Sequence, residues 1–132
     1  SVGLSPATVA SAHKALDILR AEPQRVLKLR SNSCHFLDAA KAAGLNTGMA
    51  VGEAVVPILF SSPEECMFVA ETLMAQGIYA PPVIHVGIPK DLPRIRFFIS
   101  AAHSIADLDR VVVAVSNATQ LFQTQHAGLS AE

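Results

Sequence analysis

The sequence has 132 residues, of which 51% are hydrophobic and 16% charged, and its formal net charge is −1. This length predicts a single domain over residues 1–132, and the apolar content excludes a disordered chain. The near-neutral charge, without a basic run, argues against nucleic-acid binding. The apolar runs are far shorter than the ~20 residues of a membrane helix, so no transmembrane segment is predicted. Two cysteines are too few for a disulfide scaffold, and the sequence therefore predicts a soluble, cytoplasmic protein.

The N-terminal third of the sequence predicts two helices. Ser5 and Pro6 are typical of an N-cap and a first helical residue, and apolar residues at helical spacing continue this helix to about residue 22. A second helix is predicted over residues 23–43, where Gly44 supplies a left-handed stop. The apolar positions are Val9, Ala12, Leu16 and Leu19 in the first helix and Val26, Leu29, Phe36, Leu37 and Ala40 in the second.

The middle of the chain predicts a strand, a helix and an extended edge. Residues 55–60 are an apolar, β-branched run of strand length. Ser62 and Glu65 then form a capping-box sequence that starts a helix ending at Gly77. Its inward positions are Cys66, Val69, Leu73 and Met74. Residues 78–84 are extended, and because Pro81 and Pro82 lack amide hydrogens this segment is expected at a sheet edge. A turn is predicted over residues 89–93.

The last elements complete an α+β fold. Residues 94–100 form the clearest strand, and Ser104 with Asp107 caps a final helix. The helix directs Ile105, Leu108, Val112, Val115 and Phe122 at the core, and a polar tail from Gln123 is expected to fray. This order of elements predicts a small, mostly antiparallel three-stranded sheet covered on one face by helices. The other sheet face is expected to receive a partner domain.

The strand over residues 94–100 carries the best candidate site. Side chains alternate with period two, so two sets face opposite ways. The first set is Ile95, Phe97 and Ile99, and the second is Arg94, Arg96, Phe98 and Ser100. Two guanidinium groups beside an aromatic ring suit bidentate binding of a carboxylate or phosphate. The alternative is an outer strand whose arginines are simply solvated. His103, near the next helix N-terminus, either lines a site or makes only local hydrogen bonds.

The remaining chemistry-bearing residues predict no catalytic machinery. His13 and His35 are expected at the surface or its boundary, and no histidine spacing predicts a metal site. Cys34 and Cys66 are expected to be small buried hydrophobes. The sequence has no glycine-rich phosphate loop and no nucleophile elbow, and its lysines are expected to be solvated.

Several segments together resemble one enzyme family. They are the opening Ser-Val-Gly-Leu-Ser-Pro-Ala, the helix that leads to Arg-Ala-Glu-Pro-Gln-Arg-Val, Gly-Ile-Tyr-Ala-Pro-Pro-Val-Ile-His, and Pro-Arg-Ile-Arg-Phe-Phe-Ile-Ser-Ala-Ala-His-Ser, with Asp107 and Asp109 after it. The family is the α-oxoamine synthases, pyridoxal-phosphate (PLP) enzymes of aminotransferase fold type I. It includes serine palmitoyltransferase, which the sequence resembles most, 8-amino-7-oxononanoate synthase, glycine C-acetyltransferase and 5-aminolevulinate synthase. The resemblance covers roughly residues 1–115, and the arginine strand with Ser-Ala-Ala-His is its most specific part.

The resemblance implies a C-terminal small domain that packs against a large PLP-binding domain of the same chain in a homodimer. The parent enzyme would condense an amino acid with an acyl-CoA with loss of CO2. By resemblance, Arg96 binds the substrate carboxylate, Arg94 supports it, and Ser1 and Gly3 belong to a loop that reaches the cofactor or acyl substrate. The lysine, histidine and aspartate of the family's cofactor site match no residue of this sequence, so this domain is expected to be inactive alone.

Two alternatives remain open at the level of sequence. A free-standing, non-catalytic α+β module would use its uncovered sheet face for binding or self-association. The small domain of a class I or II aminotransferase would also use an arginine for a substrate carboxylate, although the Ser-Ala-Ala-His segment argues against it. One departure from the family pattern is His85-Val86, where relatives often have Tyr-Pro.

Overall fold

A computed structural model describes residues 3–85 and 92–126 of the chain. Within them, helices and strands follow one another in the predicted order, and the α+β class is confirmed. The helices are α1 (Pro6–Ala21), α2 (Gln24–Ala42), α3 (Pro63–Ala75) and α4 (Ile105–His126), and the strands are β1 (Val55–Leu59), β2 (Pro82–Val83) and β3 (Arg94–Phe98). Most of the turn predicted over residues 89–93 lies outside the described residues.

The sheet has the order β1-β3-β2, and β3 pairs antiparallel with both neighbours. Pro57 of β1 lies opposite Arg96, and Pro82 of β2 lies opposite Ile95. The proline-rich strand is therefore at an edge, as predicted, because a proline cannot donate to a second neighbour. The strand is only two residues long, so it pairs with the first half of β3 alone.

Helix α4 packs against both α2 and α3, and α2 and α3 contact the strands on one face of the sheet. Ile95, Phe97 and Ile99 are buried on this face, which confirms the predicted alternation along β3. The rings of Phe36 and Phe97 pack with their centroids 5.2 Å apart. On the opposite face Phe98 is 67% exposed, so the described elements leave that face open.

Some predicted inward positions are wrong. Met74 is 52% exposed, because the buried stripe of α3 runs through Cys66, Val69, Ala70 and Leu73 and each residue turns the helix by about 100°. Ile105 is 38% exposed at the first position of α4. Helix α1 has no buried residue, so its apolar stripe has no cover among the described elements.

Helix termini follow the predicted signals with three differences. The first is that Ser5 occupies the N-cap position of α1 but makes no side-chain cap hydrogen bond. Gly44 and Gly77 stop α2 and α3 with φ of +74° and +75°, a region that glycine adopts without a Cβ clash. Ser62 Oγ accepts from the Glu65 amide, but the buried Glu65 carboxylate accepts from the amide and hydroxyl of Ser61 instead of returning to Ser62.

The C-terminal end of α4 also differs from the sequence prediction. The helix continues through His126 instead of fraying at Gln123, and the His126 ring stacks on Phe122 at 4.0 Å. Residues 127–132 of the predicted tail lie outside the described part. None of the described helices is long and apolar enough to cross a bilayer.

Candidate functional site

A cleft of about 490 Å³ opens beside the second half of β3, between the segment that precedes β2 and the start of α4. The lining includes Tyr79, Arg96, Phe98, His103, Asp107 and Arg110. The cleft forms here because β2 begins only at Pro82, opposite Ile95, and leaves the later residues of β3 without a strand partner on that side. A pocket with apolar walls and a few convergent polar groups is typical of a binding site.

Arg96 is the cleft residue with the clearest binding chemistry. Its side chain is half-buried on the open sheet face, and the described residues give its guanidinium no ion-pair partner within 4.0 Å. Arg94 lies on the same face, but its Nε donates to the Leu92 carbonyl at 3.1 Å and the residue does not line the cleft. The two arginines therefore share a face as predicted, while the cleft receives one of them.

The loop between β3 and α4 brings His103 to the cleft that Arg96 also lines. His103 Nδ1 accepts a hydrogen bond from the Ser100 amide at 3.1 Å, and the Ala102 amide donates to the Ser100 hydroxyl at 3.2 Å. His103 thus lines the cleft and also makes the local hydrogen bond that was its alternative role.

Asn32 is a residue of this site that the sequence analysis missed. Its side-chain amide is buried and donates to the backbone carbonyls of Ser100 and His103, each at 2.9 Å. Its position in the sequence could have indicated this role, because Asn32 lies four residues before Phe36 on the apolar stripe of α2. A buried polar side chain in such a stripe needs a partner, which here is the loop beneath the cleft.

Asp107 keeps a fixed negative charge at the edge of the cleft. Its carboxylate accepts from the Ser104 hydroxyl at 2.6 Å and from the Ser104 amide at 3.4 Å. Its amide donates to Ser104 Oγ at 3.1 Å, so the predicted capping box is complete. Hydrogen bonds from the Ser104 hydroxyl and then its amide lower the pKa of Asp107. The cleft is therefore lined by two positively charged residues, Arg96 and Arg110, and by one carboxylate. This excess of positive charge favours an anionic ligand.

Gly3, a further predicted site residue, does not line this cleft. Gly3 is exposed, with open space where a Cβ would be, while Ser1 lies outside the described residues, and their assignment to a cofactor loop stays a prediction. His85 is exposed at the end of the described segment. Val86, which together with His85 departs from the family's sequence pattern, lies outside the described residues.

The cysteines and the helical histidines have structural environments. Cys34 is exposed, which contradicts its predicted burial, because it lies where α2 meets Gly52 rather than on the core stripe. Cys66 is buried as predicted, and burial raises the pKa of its thiol to about 11. His13 is exposed, and the His35 ring lies 2.6 Å from the Asp109 carboxylate, a contact that joins α2 to α4.

No family model matches the chain, but curated proteins do. The chain is 32% identical over 120 residues to a putative 8-amino-7-oxononanoate synthase of Desulforudis audaxviator. It is 34% identical over 121 residues to a putative 8-amino-7-oxononanoate synthase of Paramagnetospirillum magneticum. Each alignment covers 91% of this chain. It is 30% identical over 112 residues to the serine palmitoyltransferase of Sphingobacterium spiritivorum, with 85% of the chain covered. The chain spans 31%, 30% and 28% of the lengths of these three relatives.

Solved structures match the fold closely. A serine palmitoyltransferase with PLP superposes with a TM-score of 0.83 at 21% identity, covering 92% of this chain and 31% of that protein. The 8-amino-7-oxononanoate synthase of Francisella tularensis gives a TM-score of 0.78 at 14% identity, covering 90% of this chain and 34% of that protein. Together, the sequence relatives and the shared fold show that this chain belongs to the α-oxoamine synthase family of 8-amino-7-oxononanoate synthase and serine palmitoyltransferase, as its C-terminal part.

Proposed function

We propose that residues 1–132 form the C-terminal domain of a PLP-dependent α-oxoamine synthase in which Arg96 binds the carboxylate of the amino-acid substrate. The whole enzyme would join an amino acid to an acyl-CoA with loss of CO2. The chain spans about a third of its relatives, which supports a larger, cofactor-binding domain elsewhere in the protein. Homodimer assembly is part of the proposal, since the family resemblance implies it.

The observation that carries this proposal is the placement of Arg96. Arg96 lines a cleft together with the aromatic residues Tyr79 and Phe98, and its guanidinium has no charged partner among the described residues. A planar guanidinium binds both oxygens of a carboxylate through parallel hydrogen bonds. This geometry fixes the orientation of a bound amino acid as well as its affinity, which positions the substrate for reaction.

The described residues do not themselves form a PLP site. Lys14, Lys28 and Lys41 are all exposed on helices and none lines the cleft, whereas Lys90 lies outside the described residues. PLP supplies an electron sink when it is bound, and in the proposed enzyme it would be held by the remainder of the protein. The contribution of this domain is to bind and orient the carboxylate.

The test uses the full-length protein and the variants Arg96→Ala and Arg96→Lys. Activity is screened with proteinogenic amino acids and saturated acyl-CoA thioesters of increasing chain length, and released CoA thiol is measured. A hydrogen-bonded charged pair is worth about 1.5–3 kcal/mol, so Arg96→Ala should raise the amino-acid KM about tenfold to two-hundredfold. Lysine keeps the charge but loses the bidentate geometry, so Arg96→Lys should recover only part of this loss.

Arg30→Ala is the matched control, because Arg30 is an exposed arginine of α2 that lies 3.9 Å from Glu53. It should leave the amino-acid KM unchanged, and no variant should change the KM for acyl-CoA by a comparable factor. An Arg96→Ala enzyme with unchanged amino-acid KM and kcat would refute the assignment. Absence of CoA release with every substrate pair would favour the non-catalytic alternative.

A further inference from the structure

The side chain of Asn32 is hydrogen-bonded to the loop that carries His103. Its Nδ2 donates to the Ser100 and His103 carbonyls, both at 2.9 Å, and the residue is entirely buried. Its Oδ1 has no partner among the described residues, so the amide is placed for its two donors. Because one NH2 group holds carbonyls three residues apart, it fixes the loop that connects the arginine strand to α4.

The conformation of this loop determines which ring nitrogen of His103 carries the proton. Nδ1 accepts from the Ser100 amide at 3.1 Å, so this nitrogen must present its lone pair. In a neutral imidazole the single proton is then on Nε2. Within the described part of the chain Nε2 has no hydrogen-bond partner, and His103 lines the same cleft as Arg96.

We propose that Asn32 is a positioning residue that holds His103 as its Nε2–H tautomer, and that this N–H donates to an oxygen of the ligand whose carboxylate Arg96 binds. The inference rests on the proposed function and names a second contact in the same cleft. The ligand chemistry is a carboxylate or an adjacent carbonyl oxygen, since both accept a hydrogen bond from a neutral donor.

This arrangement also defines what His103 does not do. With Nδ1 engaged by the Ser100 amide and Nε2 protonated, the neutral ring has no free lone pair in the cleft and cannot accept a proton from the ligand. The role of His103 is therefore to orient an oxygen, in parallel with the guanidinium of Arg96.

The first experiment compares Asn32→Leu with Ser33→Ala in the full-length protein. Leucine has the same branching at Cγ, although it is larger, and removes both donors. Ser33 is the control, because it is equally buried in the same turn of α2 and its hydroxyl has no partner among the described residues. Histidine-selective 15N labelling reports the tautomer, with the His103 signals assigned by their disappearance in His103→Gln. We expect Asn32→Leu to mix the tautomers of His103 and raise the amino-acid KM about twofold to tenfold, and Ser33→Ala to do neither.

The second experiment separates the two nitrogens of His103. In His103→Gln the side-chain NH2 replaces the Nε2–H donor, whereas in His103→Asn the side-chain oxygen replaces the Nδ1 acceptor and the donor is lost. We expect the amino-acid KM of His103→Asn to exceed that of His103→Gln severalfold. This pair decides the question even if Asn32→Leu does not fold.

Equal KM values for wild type and His103→Asn would overturn the inference. So would an Asn32→Leu protein that loses thermal stability but keeps both the Nε2–H signal and the KM, because the amide would then be only structural. Arg96→Ala separates the two proposals. If it raises KM while the Asn32 and His103 variants do not, this inference fails alone. If only the Asn32 and His103 variants raise KM, the carboxylate assignment of Arg96 fails and the His103 donor stands.

Discussion

Val115 and Val113 test how α4 packs. They are two residues apart on one helix, but Val115 is 0% exposed and Val113 is 57% exposed. Val115→Ala removes two buried methyl-sized groups, at about 0.8 kcal/mol each, and leaves a cavity that costs about 24 cal/mol per Å³. For a residual cavity of about 40 Å³ this adds about 1 kcal/mol, so the gross loss is about 2.5 kcal/mol.

Helix propensity offsets part of this loss, since alanine is favoured over valine by about 0.5 kcal/mol. The same gain applies to Val113→Ala, which loses little burial, so the difference between the two variants removes the propensity contribution. We therefore expect Val115→Ala to lower the free energy of unfolding by about 2 kcal/mol. Val113→Ala should leave it unchanged or slightly raised.

Urea denaturation of the full-length protein, followed by a fluorophore attached to the exposed Cys34, measures both values from the midpoint and slope. An unchanged slope with a lower midpoint identifies a true change in stability. A loss for Val115→Ala no larger than that for Val113→Ala would refute the packing of α4 against α2 and α3.

Two further predictions concern titratable groups. Cys34 should react with a thiol reagent at neutral pH. Cys66 is buried and the pKa of its thiol is raised to about 11, so it should react only after unfolding. Equal labelling of both cysteines in the native protein, measured by mass spectrometry, would contradict their placement. The folded-state pKa of Asp107 is lowered from 3.8, so its stabilising contribution is complete above that value and is lost as pH falls through the lower folded pKa. The stability difference between wild type and Asp107→Ala should therefore shrink on acidification below about pH 4, and a difference that grows towards low pH in thermal unfolding would be inconsistent with the cap.

Much of the fold follows from local sequence signals. The order of elements, the edge position of Pro82, the glycine stops and the alternation along β3 all follow from short-range rules. These features depend on backbone preferences and on the repeat of the side chains along one element, which are already present in a short segment of chain. Arg96 was identified from such a pattern, because period two places it opposite Ile95 and Phe97.

Tertiary structure decided which of these signals converge. Only packing shows that Asn32 reaches the loop of His103, about 70 residues away in the chain, or that the cleft receives Arg96 and not Arg94. It also decides that Met74 is exposed, because the sheet and α4 set which part of an apolar helix stripe is covered. A contact between distant elements depends on their relative placement, and the residues at each end carry no local record of the partner they will meet.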